Sequence, residues 1–405
     1  MEREWTGVWL RQRASRAREK SVKFIHLLRD AALLTLVTMF AVPACAGHES
    51  ALSAKVDAAV RQHMKDQKIP GLSLAVVRNG AVVKASGYGL ANLEVSAPAK
   101  ADTVYAAGSI TKQFVASAIL LLTEEGKVGL DDSIAKYFPE APVAWKSVTI
   151  RNLLTHTSGS PDVSGNTEQT LWTKGIIDYH REYTEDELAR TYFAQPLEFE
   201  PGTKWSYSNT GYEILGFLIH RVTGEYYGEF LREHFFAPFG MTTTTVIDLA
   251  DVVPNRASGY DVVDGRWKNV RLWQSESTLS TAEGSLLMSV LDLAKWDAAL
   301  NARRVLKRAS LEVMWTPVPL DDGSAYPGGM AWFIANARGH RIVFHTGGGF
   351  GFSTVISRYL DDRITIIVMT NVEPPHADVM KIAGDIAAIY LPDTTGANPI
   401  KDWSD

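Results

Sequence analysis

The apolar residues near the start of the chain follow first a helical pattern and then a strand pattern. Between Leu52 and Met64 they recur at every fourth position, as on one face of a helix. Two short apolar runs, 72–77 and 81–84, then flank Asn79-Gly80, a dipeptide typical of a tight hairpin turn. The pattern therefore predicts a helix followed by a β-hairpin.

The far end of the chain alternates apolar runs with Gly or Asp turns, which is typical of an antiparallel meander. The runs predict strands at 330–334, 342–344, 353–358 and 364–370, followed by a helix at 378–390.

From residue 112 to residue 325 the pattern is mainly helical, with many turns and few alternating runs. We therefore expect a fold of the α/β (α+β) class, with one antiparallel sheet built from both chain ends and flanked by helices. The sheet subdomain would take residues 47–111 and 326–391, and the mainly helical insert residues 112–325. A functional site is expected at the seam between the two.

The start of the chain has the order of an export signal. Basic residues precede an apolar run at 31–42, which is shorter than the ~20 residues needed to cross a bilayer. Ala44 and Ala46 then fit a small-residue cleavage site. We expect residues 1–46 to be a signal peptide, the mature protein to be periplasmic or secreted without a transmembrane span, and residues 392–405 to be a polar tail.

Two alternatives stay open for this first segment. A buried N-terminal helix would show a similar pattern, and Cys45 lies in an imperfect lipoprotein box whose cysteine would carry a lipid anchor. Because Cys45 is the only cysteine, a mature chain that starts near Gly47 would hold no disulfide.

Composition excludes several classes of protein. With 46% hydrophobic residues over 405 positions, the chain can bury a large core. A net charge of −5 and the lack of a basic stripe after residue 30 argue against nucleic acid as a partner. The sequence has no H-E-x-x-H zinc pattern and no G-x-S-x-G nucleophile elbow, and we expect no metal and no cofactor.

Candidate chemistry begins at Ser109-Ile-Thr-Lys112. Ser109 follows Gly108 where a helix is expected to begin, and residues 115–122 are apolar on every face, so the first turn should be buried. Lys112 follows on the same face, close enough for the two side chains to touch. Burial lowers the pKa of a lysine from about 10.4, and a shift of about 3 units would leave a neutral amine that acts as a base. The Ser109 N–H, at a helix N-terminus, would favour an oxyanion.

The same motif has a plainer interpretation, in which Ser109 caps the helix and Lys112 extends towards solvent. A second match to the spacing, Ser133-Ile-Ala-Lys136, lies in a turn, and its serine is predicted to cap a short helix.

A second segment, residues 200–211, places Tyr207 and Asn209 two positions apart in a turn-rich loop before a predicted helix. Tyr207 can exchange a proton with the serine if the lysine cation lowers the pKa of its phenol. Asn209 can hold the lysine and a substrate carbonyl or amide group. Ser164-Gly-Asn166 is a rival for this role, and Tyr207 is preferred.

A third segment, Phe344 to Phe350, ends a predicted strand with a histidine, a threonine and three glycines. Glycines let another molecule approach the backbone, so the Gly348 N–H can complete an oxyanion hole. A phosphate-binding loop is excluded because a strand rather than a helix follows, and a plain bulge stays open as an alternative.

In this order, Ser109-Ile-Thr-Lys112, Tyr207-Ser-Asn209 and His345-Thr-Gly347 resemble the motifs of the serine β-lactamase and penicillin-binding-protein superfamily. The resemblance covers about residues 51–391 and is closest to the class C β-lactamase-like esterases and peptidases. It implies a β-lactamase-like fold for a catalytic domain at 47–391.

Residue by residue, the resemblance implies that Ser109 is acylated by the substrate. Lys112 and Tyr207 would share proton transfer, and which of the two is the base is left open. The N–H groups of Ser109 and Gly348 would form the oxyanion hole.

The resemblance also implies that Asn209, His345 and Thr346 bind the substrate. The chain departs from the family pattern because His345 stands where a lysine is usual. A lysine is a permanent cation that suits a substrate carboxylate, whereas a histidine with a reference pKa near 6.5 is mostly neutral at pH 7. We therefore expect small ester, amide or peptide substrates, with at most weak β-lactam hydrolysis.

Other segments carry weaker expectations. His156 and Ser158, in a segment that is usually structural in such proteins, are expected to have packing or loop roles, as is the segment 282–286. The alternative function is a ligand sensor or self-assembling scaffold with little turnover, and the oligomeric state is left open. Six aromatic residues are candidates for the wall of a hydrophobic acyl pocket: Trp172, Tyr179, Tyr183, Trp205, Trp267 and Trp273.

Overall fold

The computed structural model describes residues 49–163, 174–272 and 274–391. The predicted signal peptide and tail, the rival motif Ser164-Gly-Asn166, and Trp172 and Trp273 lie outside the described residues. The chain divides into two units, residues 1–56 and 57–405. Residues 49–56, the described part of the first unit, are helical, and the second unit begins with helix α1, residues 57–66.

The strands of the second unit are mostly short in its middle and long at its ends. In the described residues they are β1 (Gly71–Arg78), β2 (Ala81–Asn92), β3 (Ala97–Pro98), β4 (Tyr105–Ala106), β5 (Thr245–Val246), β6 (Tyr260–Val263), β7 (Arg266–Asn269), β8 (Leu286–Met288), β9 (Val318–Pro319), β10 (Ala325–Tyr326), β11 (Phe333–Ala337), β12 (His340–Gly349), β13 (Phe352–Tyr359) and β14 (Ile364–Thr370).

The helices fill the middle of the second unit and close its end. After α1 they are α2 (Thr111–Glu124), α3 (Ile150–Leu154), α4 (Glu185–Phe193), α5 (Asn209–Thr223), α6 (Tyr227–Leu231), α7 (Ala237–Phe239), α8 (Glu276–Leu279), α9 (Val290–Asn301), α10 (Arg308–Met314) and α11 (Val379–Tyr390). Across the described ranges, none of the helices combines the length and the apolar character that a membrane span requires.

One antiparallel sheet joins the two ends of the second unit, as the sequence predicts. Its strand order is β11-β12-β13-β14-β1-β2-β3. The junction is the pairing of β1 with β14, in register from Leu72 opposite Thr370 to Arg78 opposite Ile364. Residues 71–77 of β1 and all of β14 are buried, which explains why these strands appear in the sequence as nearly continuous apolar runs.

Two strand predictions differ from the structure in their bounds. The strand expected at 342–344 extends to Gly349, because residues 347–349 stay paired with β13 although glycine gives no apolar signal. The strand expected at 330–334 begins only at Phe333, because Ala331 has a φ of +61° in the left-handed region, which a strand cannot contain.

The middle of the second unit is mainly helical, and α2 is buried on nearly every side, as its apolar pattern predicts. Helix α2 packs against α5 and α6. Small pairings that the sequence did not predict also occur here, in the sheets β4-β8-β5 and β6-β7. Strands of two to four residues are too short to show a clear alternation of apolar and polar positions.

A buried ion pair fastens α9 to the sheet. Arg358 on β13 donates from Nε to Asp297 Oδ1 at 2.6 Å, and both side chains are buried. Thr365 on β14 donates to the same carboxylate oxygen at 2.8 Å, while Asn301 accepts from Arg358 Nη2. The helix and two adjacent strands therefore share one polar network inside an apolar core.

Replacing Asp297 by asparagine should destabilise the fold by about 3–5 kcal/mol, because it leaves Arg358 buried without its counter-ion. The free energy of unfolding from denaturant titration measures the effect. Asp131→Asn is the matched control, since Asp131 pairs with Arg151 while its side chain is 76% exposed, and its loss should cost within about 1 kcal/mol. Equal effects of the two substitutions would contradict this role for Arg358.

Candidate active site

Ser109 lies in a 3-10 turn, Gly108–Ile110, between β4 and α2. Its side chain caps neither this turn nor α2, so the interpretation of Ser109 as a helix cap is wrong. The rival Ser133 does cap a short 3-10 helix, Ile134–Lys136, by accepting a hydrogen bond from the Ala135 N–H, as predicted. Of the two serines in S-x-x-K matches, Ser133 is therefore a helix cap and Ser109 is not.

Lys112 occupies the first turn of α2 and has no exposed surface. Its Nζ atom lies 3.1 Å from Ser109 Oγ, so the two side chains touch as the spacing predicts. Nζ also donates to Asn209 Oδ1 and to the Glu283 carbonyl oxygen, each at 2.7 Å, and lies 3.5 Å from Glu283 Oε2. An ammonium group has three N–H bonds, and these acceptors engage all of them.

Lys112 is a cation, whereas the sequence predicts a neutral amine. Burial does lower the pKa of Lys112, but Tyr207, Glu283 and Asp162 raise it by more, and the net pKa lies above the ordinary lysine value. The expectation of a neutral amine in the resting site is therefore wrong, because the surrounding acceptors and acidic groups stabilise the cation.

Tyr207 lies in the loop before α5, where Ser208 caps the helix by accepting from the Gly211 N–H. The Tyr207 hydroxyl interacts with both Lys112 and Ser109, and the lysine Nζ lies 5.0 Å from the centre of the Tyr207 ring. Burial raises the pKa of Tyr207, and Lys112 and Ser109 offset only part of that rise. The expected lowering of this pKa is therefore also wrong, and the phenol is neutral at pH 7.

Asn209 is the first residue of α5 and is buried. Its backbone N–H donates to Asp162 Oδ1 at 2.7 Å, and its Nδ2 lies 3.3 Å from Asp162 Oδ2. Asp162 thus orients the side-chain amide so that Oδ1 faces Lys112. Holding the lysine, one of the two roles predicted for Asn209, is seen in the structure.

Strand β12 brings the third motif to the serine turn. An added Cβ on Gly108 would lie 2.7 Å from the Gly348 nitrogen, so the two backbones are in close contact, and Gly348 is exposed. Thr346 is partly exposed on the same strand, and its place in the site rests on that position alone.

His345 is buried on β12, with its ring centre 6.3 Å from that of Tyr207. Its Nδ1 lies 2.6 Å from the Thr346 carbonyl oxygen and donates to it. Burial lowers the pKa of His345 to about 4, with the Lys112 charge acting in the same direction and the Thr346 hydrogen bond against it. The prediction that this position is uncharged at pH 7 is confirmed.

The site also contains two acidic residues, Glu283 and Asp162, that were not predicted from the sequence. Glu283 precedes β8 and contacts Lys112 through both its carbonyl group and its carboxylate, while Asp162 orients Asn209. For Glu283, the available signal was a lone carboxylate between Ala282 and Gly284, ahead of an apolar strand. Asp162 gave no such signal.

His156 and Ser158 occupy the roles expected of them. The His156 ring stacks on Tyr207 at a centre-to-centre distance of 4.4 Å, and its Nδ1 accepts from the Ser208 N–H. Burial holds the pKa of His156 well below its ordinary value, so the ring is neutral and supports Tyr207 by packing. Ser158 Oγ accepts from the Ser160 N–H within its loop.

An aromatic cluster adjoins Tyr207 and His345. Trp205 stacks on Tyr326 with ring centres 3.9 Å apart, and Phe333 lies 5.3 Å from His345. Trp205 was a predicted wall residue, whereas Tyr326 and Phe333 were not. Trp267 lies instead on β7, where it donates to the Lys68 carbonyl oxygen.

The other two predicted wall residues in the described ranges are Tyr179 and Tyr183, and the site carboxylates Glu283 and Asp162 act electrostatically on Tyr179. Tyr179 donates to the Val163 carbonyl oxygen, and Tyr183 lines a separate cavity of about 170 Å³ with Phe217 and Tyr226. The described residues contain no group of three or more His, Cys, Asp or Glu side chains placed to hold a metal ion.

Comparison with known proteins shows which family this sequence matches. A sequence model of the Beta-lactamase family matches residues 56–391. Penicillin-binding protein 4* of Bacillus subtilis (strain 168) is 31% identical over 317 residues, which are 73% of this chain and 68% of that protein. The chain spans 62–65% of the length of two other curated relatives.

Solved structures show the same fold. The octameric penicillin-binding protein homologue from Pyrococcus abyssi is 30% identical, with a TM-score of 0.71 over 84% of this chain and 77% of that one. The D-amino acid amidase from Ochrobactrum anthropi SV3, solved with D-phenylalanine, is 25% identical, with a TM-score of 0.70 over 83% of this chain and 99% of that one.

Replacing Gly108 by alanine should separate the serine turn from β12. The new Cβ would lie 2.7 Å from the Gly348 nitrogen and 2.9 Å from its oxygen, and Gly108 has a φ of +54°. We expect the rate at which a fluorophosphonate modifies Ser109 to fall by about 10²-fold. In the control Gly126→Ala, φ is +74° but the space around the Cβ is open. Equal rates for the two variants would contradict a role for the contact between Gly108 and Gly348.

Proposed function

The chain belongs to the β-lactamase family, and from this premise we propose that it is a serine hydrolase of the class C-like branch that forms an acyl-enzyme at Ser109. The observation that carries the proposal is the 3.1 Å contact between Ser109 Oγ and Lys112 Nζ, with the Tyr207 phenol beside both. A ligand sensor or scaffold does not require a buried lysine that faces a serine, so turnover is favoured over that alternative.

Lys112 and Tyr207 act in this proposal as one titrating pair. At rest Lys112 is a cation and Tyr207 a neutral phenol, so the pair must first release one proton to solvent. It then accepts the Ser109 proton while Oγ forms a bond to the substrate carbonyl carbon. As the bond to the leaving group breaks, the pair gives that proton to the leaving group. A water molecule then attacks the carbonyl carbon of the acyl-enzyme while the pair accepts one of its protons. The bond to Ser109 Oγ breaks, the pair returns the proton to Oγ, and the acid is released.

The carbonyl oxygen gains negative charge during each attack. We assign its stabilisation to the N–H groups of Ser109 and Gly348, which can donate to it from opposite sides. Two features support this assignment: Ser109 lies at the start of a helical turn, and the Gly108 and Gly348 backbones are in close contact.

Ester, amide or small peptide substrates that lack a carboxylate fit this site better than β-lactams, which carry one. His345 is neutral where a family lysine would bind an anion, and Trp205, Tyr326 and Phe333 form an apolar surface beside it. Asn209 and Thr346 are the further substrate-binding candidates. The likeness to the D-amino acid amidase supports amides among the substrates.

Export is a further part of the proposal. The basic segment, apolar run and small residues of positions 1–46 support a signal peptide and a periplasmic or secreted enzyme, with Cys45 lipidation as the variant. N-terminal sequencing of the protein recovered from outside the cytoplasm tests this: a start near Gly47 supports cleavage, and an intact N-terminus contradicts it.

Ser109→Ala should abolish the hydrolysis of p-nitrophenyl butyrate, with a fall in kcat/KM of at least about 10³-fold, because it removes the nucleophile. Mass spectrometry of the wild-type protein after reaction with a fluorophosphonate should place the label on Ser109. Ser133→Ala is the matched control, since Ser133 has the same spacing to a lysine but caps a helix. Turnover that survives in Ser109→Ala, or a label elsewhere, contradicts the proposal.

The preference for an uncharged ester should not change with pH. His345 is neutral above about pH 5 because its pKa is lowered to about 4, so it does not become a cation that attracts a carboxylate. We expect the kcat/KM ratio of p-nitrophenyl butyrate to mono-p-nitrophenyl succinate to stay within about twofold from pH 5.5 to 8. A growing preference for the succinate ester as the pH falls through 6.5 would show that His345 is protonated.

A further inference from the structure

We propose that Glu283 binds a protonated amino group of the substrate, so that the preferred substrates are esters, amides or peptides of amino acids with a free amino group. The inference rests on the proposed acyl-enzyme at Ser109. It deepens that proposal by naming the charge that the acyl group carries.

Glu283 is an incompletely paired carboxylate at the centre of the site. Its Oε2 lies 3.5 Å from Lys112 Nζ, whereas direct salt bridges such as that of Lys84 with Asp57 measure 2.7 Å. The Glu283 side chain keeps 21% of its surface exposed, while Lys112 keeps none. An ionised carboxylate can accept about four hydrogen bonds, so this group has capacity for a second cation.

The segment that carries Glu283 is held against the nucleophile. The Leu286 N–H donates to Thr111 Oγ1 at 3.1 Å, and the Ala107 N–H donates to the Leu286 carbonyl oxygen at 2.8 Å. The Glu283 carbonyl group also binds Lys112. The carboxylate is therefore fixed relative to Ser109 from both sides of the serine turn.

The distances suit an amino group close to the scissile carbonyl. Oε2 is 3.5 Å from Nζ, which is itself 3.1 Å from Ser109 Oγ. An α-nitrogen lies about 2.5 Å from the carbonyl carbon of an amino acid. With about 3 Å from that carbon to the attacking oxygen and about 2.8 Å for a charge-assisted hydrogen bond, an α-ammonium group reaches from the acyl carbon to Glu283.

The electrostatics of the site favour an added cation. Lys112 is the positive charge that acts on both Glu283 and Asp162, and burial raises the pKa of each of these two carboxyl groups, because their ionised forms are incompletely compensated. Neutral His345 adds no positive charge. Within the described residues, the centre of the site therefore holds more acidic groups than basic ones, and an ammonium group on the substrate offsets the excess.

Binding of that ammonium group would also prepare Lys112 for catalysis. Glu283 is one of the groups that raise the pKa of Lys112. A substrate cation that shares Glu283 weakens this effect and places a second positive charge near Nζ, which favours release of the proton. The site would thus become reactive when the correct substrate is bound.

The test compares two substrates that differ only in charge, alanine p-nitroanilide and N-acetylalanine p-nitroanilide, each as the D and L form. We expect the wild-type kcat/KM to favour the free amine by at least about tenfold, and Glu283→Gln to remove most of that preference. The ratio of the two substrates cancels any general effect of the substitution on Lys112. Glu213→Gln is the control, because Glu213 is also buried but bonds to Tyr192, and its ratio should match the wild type.

The wild-type protein alone can also decide the question, should Glu283→Gln not fold. Lactic acid p-nitroanilide replaces the ammonium group by a hydroxyl group, and its kcat/KM should be at least about tenfold below that of the alanine compound. Equal rates, or a preference for the acetylated substrate, contradict the role of Glu283. Turnover of p-nitrophenyl butyrate in the same preparation would still support the serine hydrolase. Failure of every substrate, together with an unlabelled Ser109, contradicts the hydrolase and this inference with it.

Discussion

The burial of one ammonium group constrains the centre of this protein more than any other interaction. Lys112 has no exposed surface, and a buried charge costs several kcal/mol unless other groups compensate it. Compensation comes from Asn209 at the start of α5 and from Glu283 before β8, so two distant segments must close around α2 before the charge is stable. The third N–H faces Ser109. The requirement to solvate the cation is thus also what holds Ser109 beside Lys112.

The sheet adds the other half of the site. Pairing of β1 with β14 joins the two ends of the second unit, and pairing of β12 with β13 holds three successive glycines, 347–349, at the end of the sheet. Only with glycine at 108 and 347 can the serine turn approach this strand so closely, because a Cβ at 347 would lie 1.9 Å from the Ala107 carbonyl oxygen. The backbone of β12, rather than its side chains, therefore lies against the serine turn.

The features of the site that depend on local spacing and composition could be predicted from the sequence. The contact of Ser109 with Lys112 follows from their separation by one helical turn, and the neutral state of His345 follows from a low reference pKa combined with burial. The predicted charge of Lys112 was wrong because its pKa depends on Glu283, 171 positions away, and on Asp162. The predicted lowering of the Tyr207 pKa was wrong because burial outweighs the effect of the neighbouring cation. For Lys112, burial alone gives the wrong direction, since the partners that stabilise its charge lie elsewhere in the chain. The late start of β11 has a similar cause, since the backbone of Ala331 is set by its surroundings rather than by its own preference.

A crystal structure with a boronic acid inhibitor tests most directly whether Ser109 is the nucleophile and Gly348 part of the oxyanion hole. Boron forms a tetrahedral adduct with a nucleophilic serine. We expect a covalent bond from boron to Ser109 Oγ, with one boronate oxygen between the N–H groups of Ser109 and Gly348 and the other near Tyr207. An adduct on another residue, or a boronate oxygen that points away from Gly348, would contradict it.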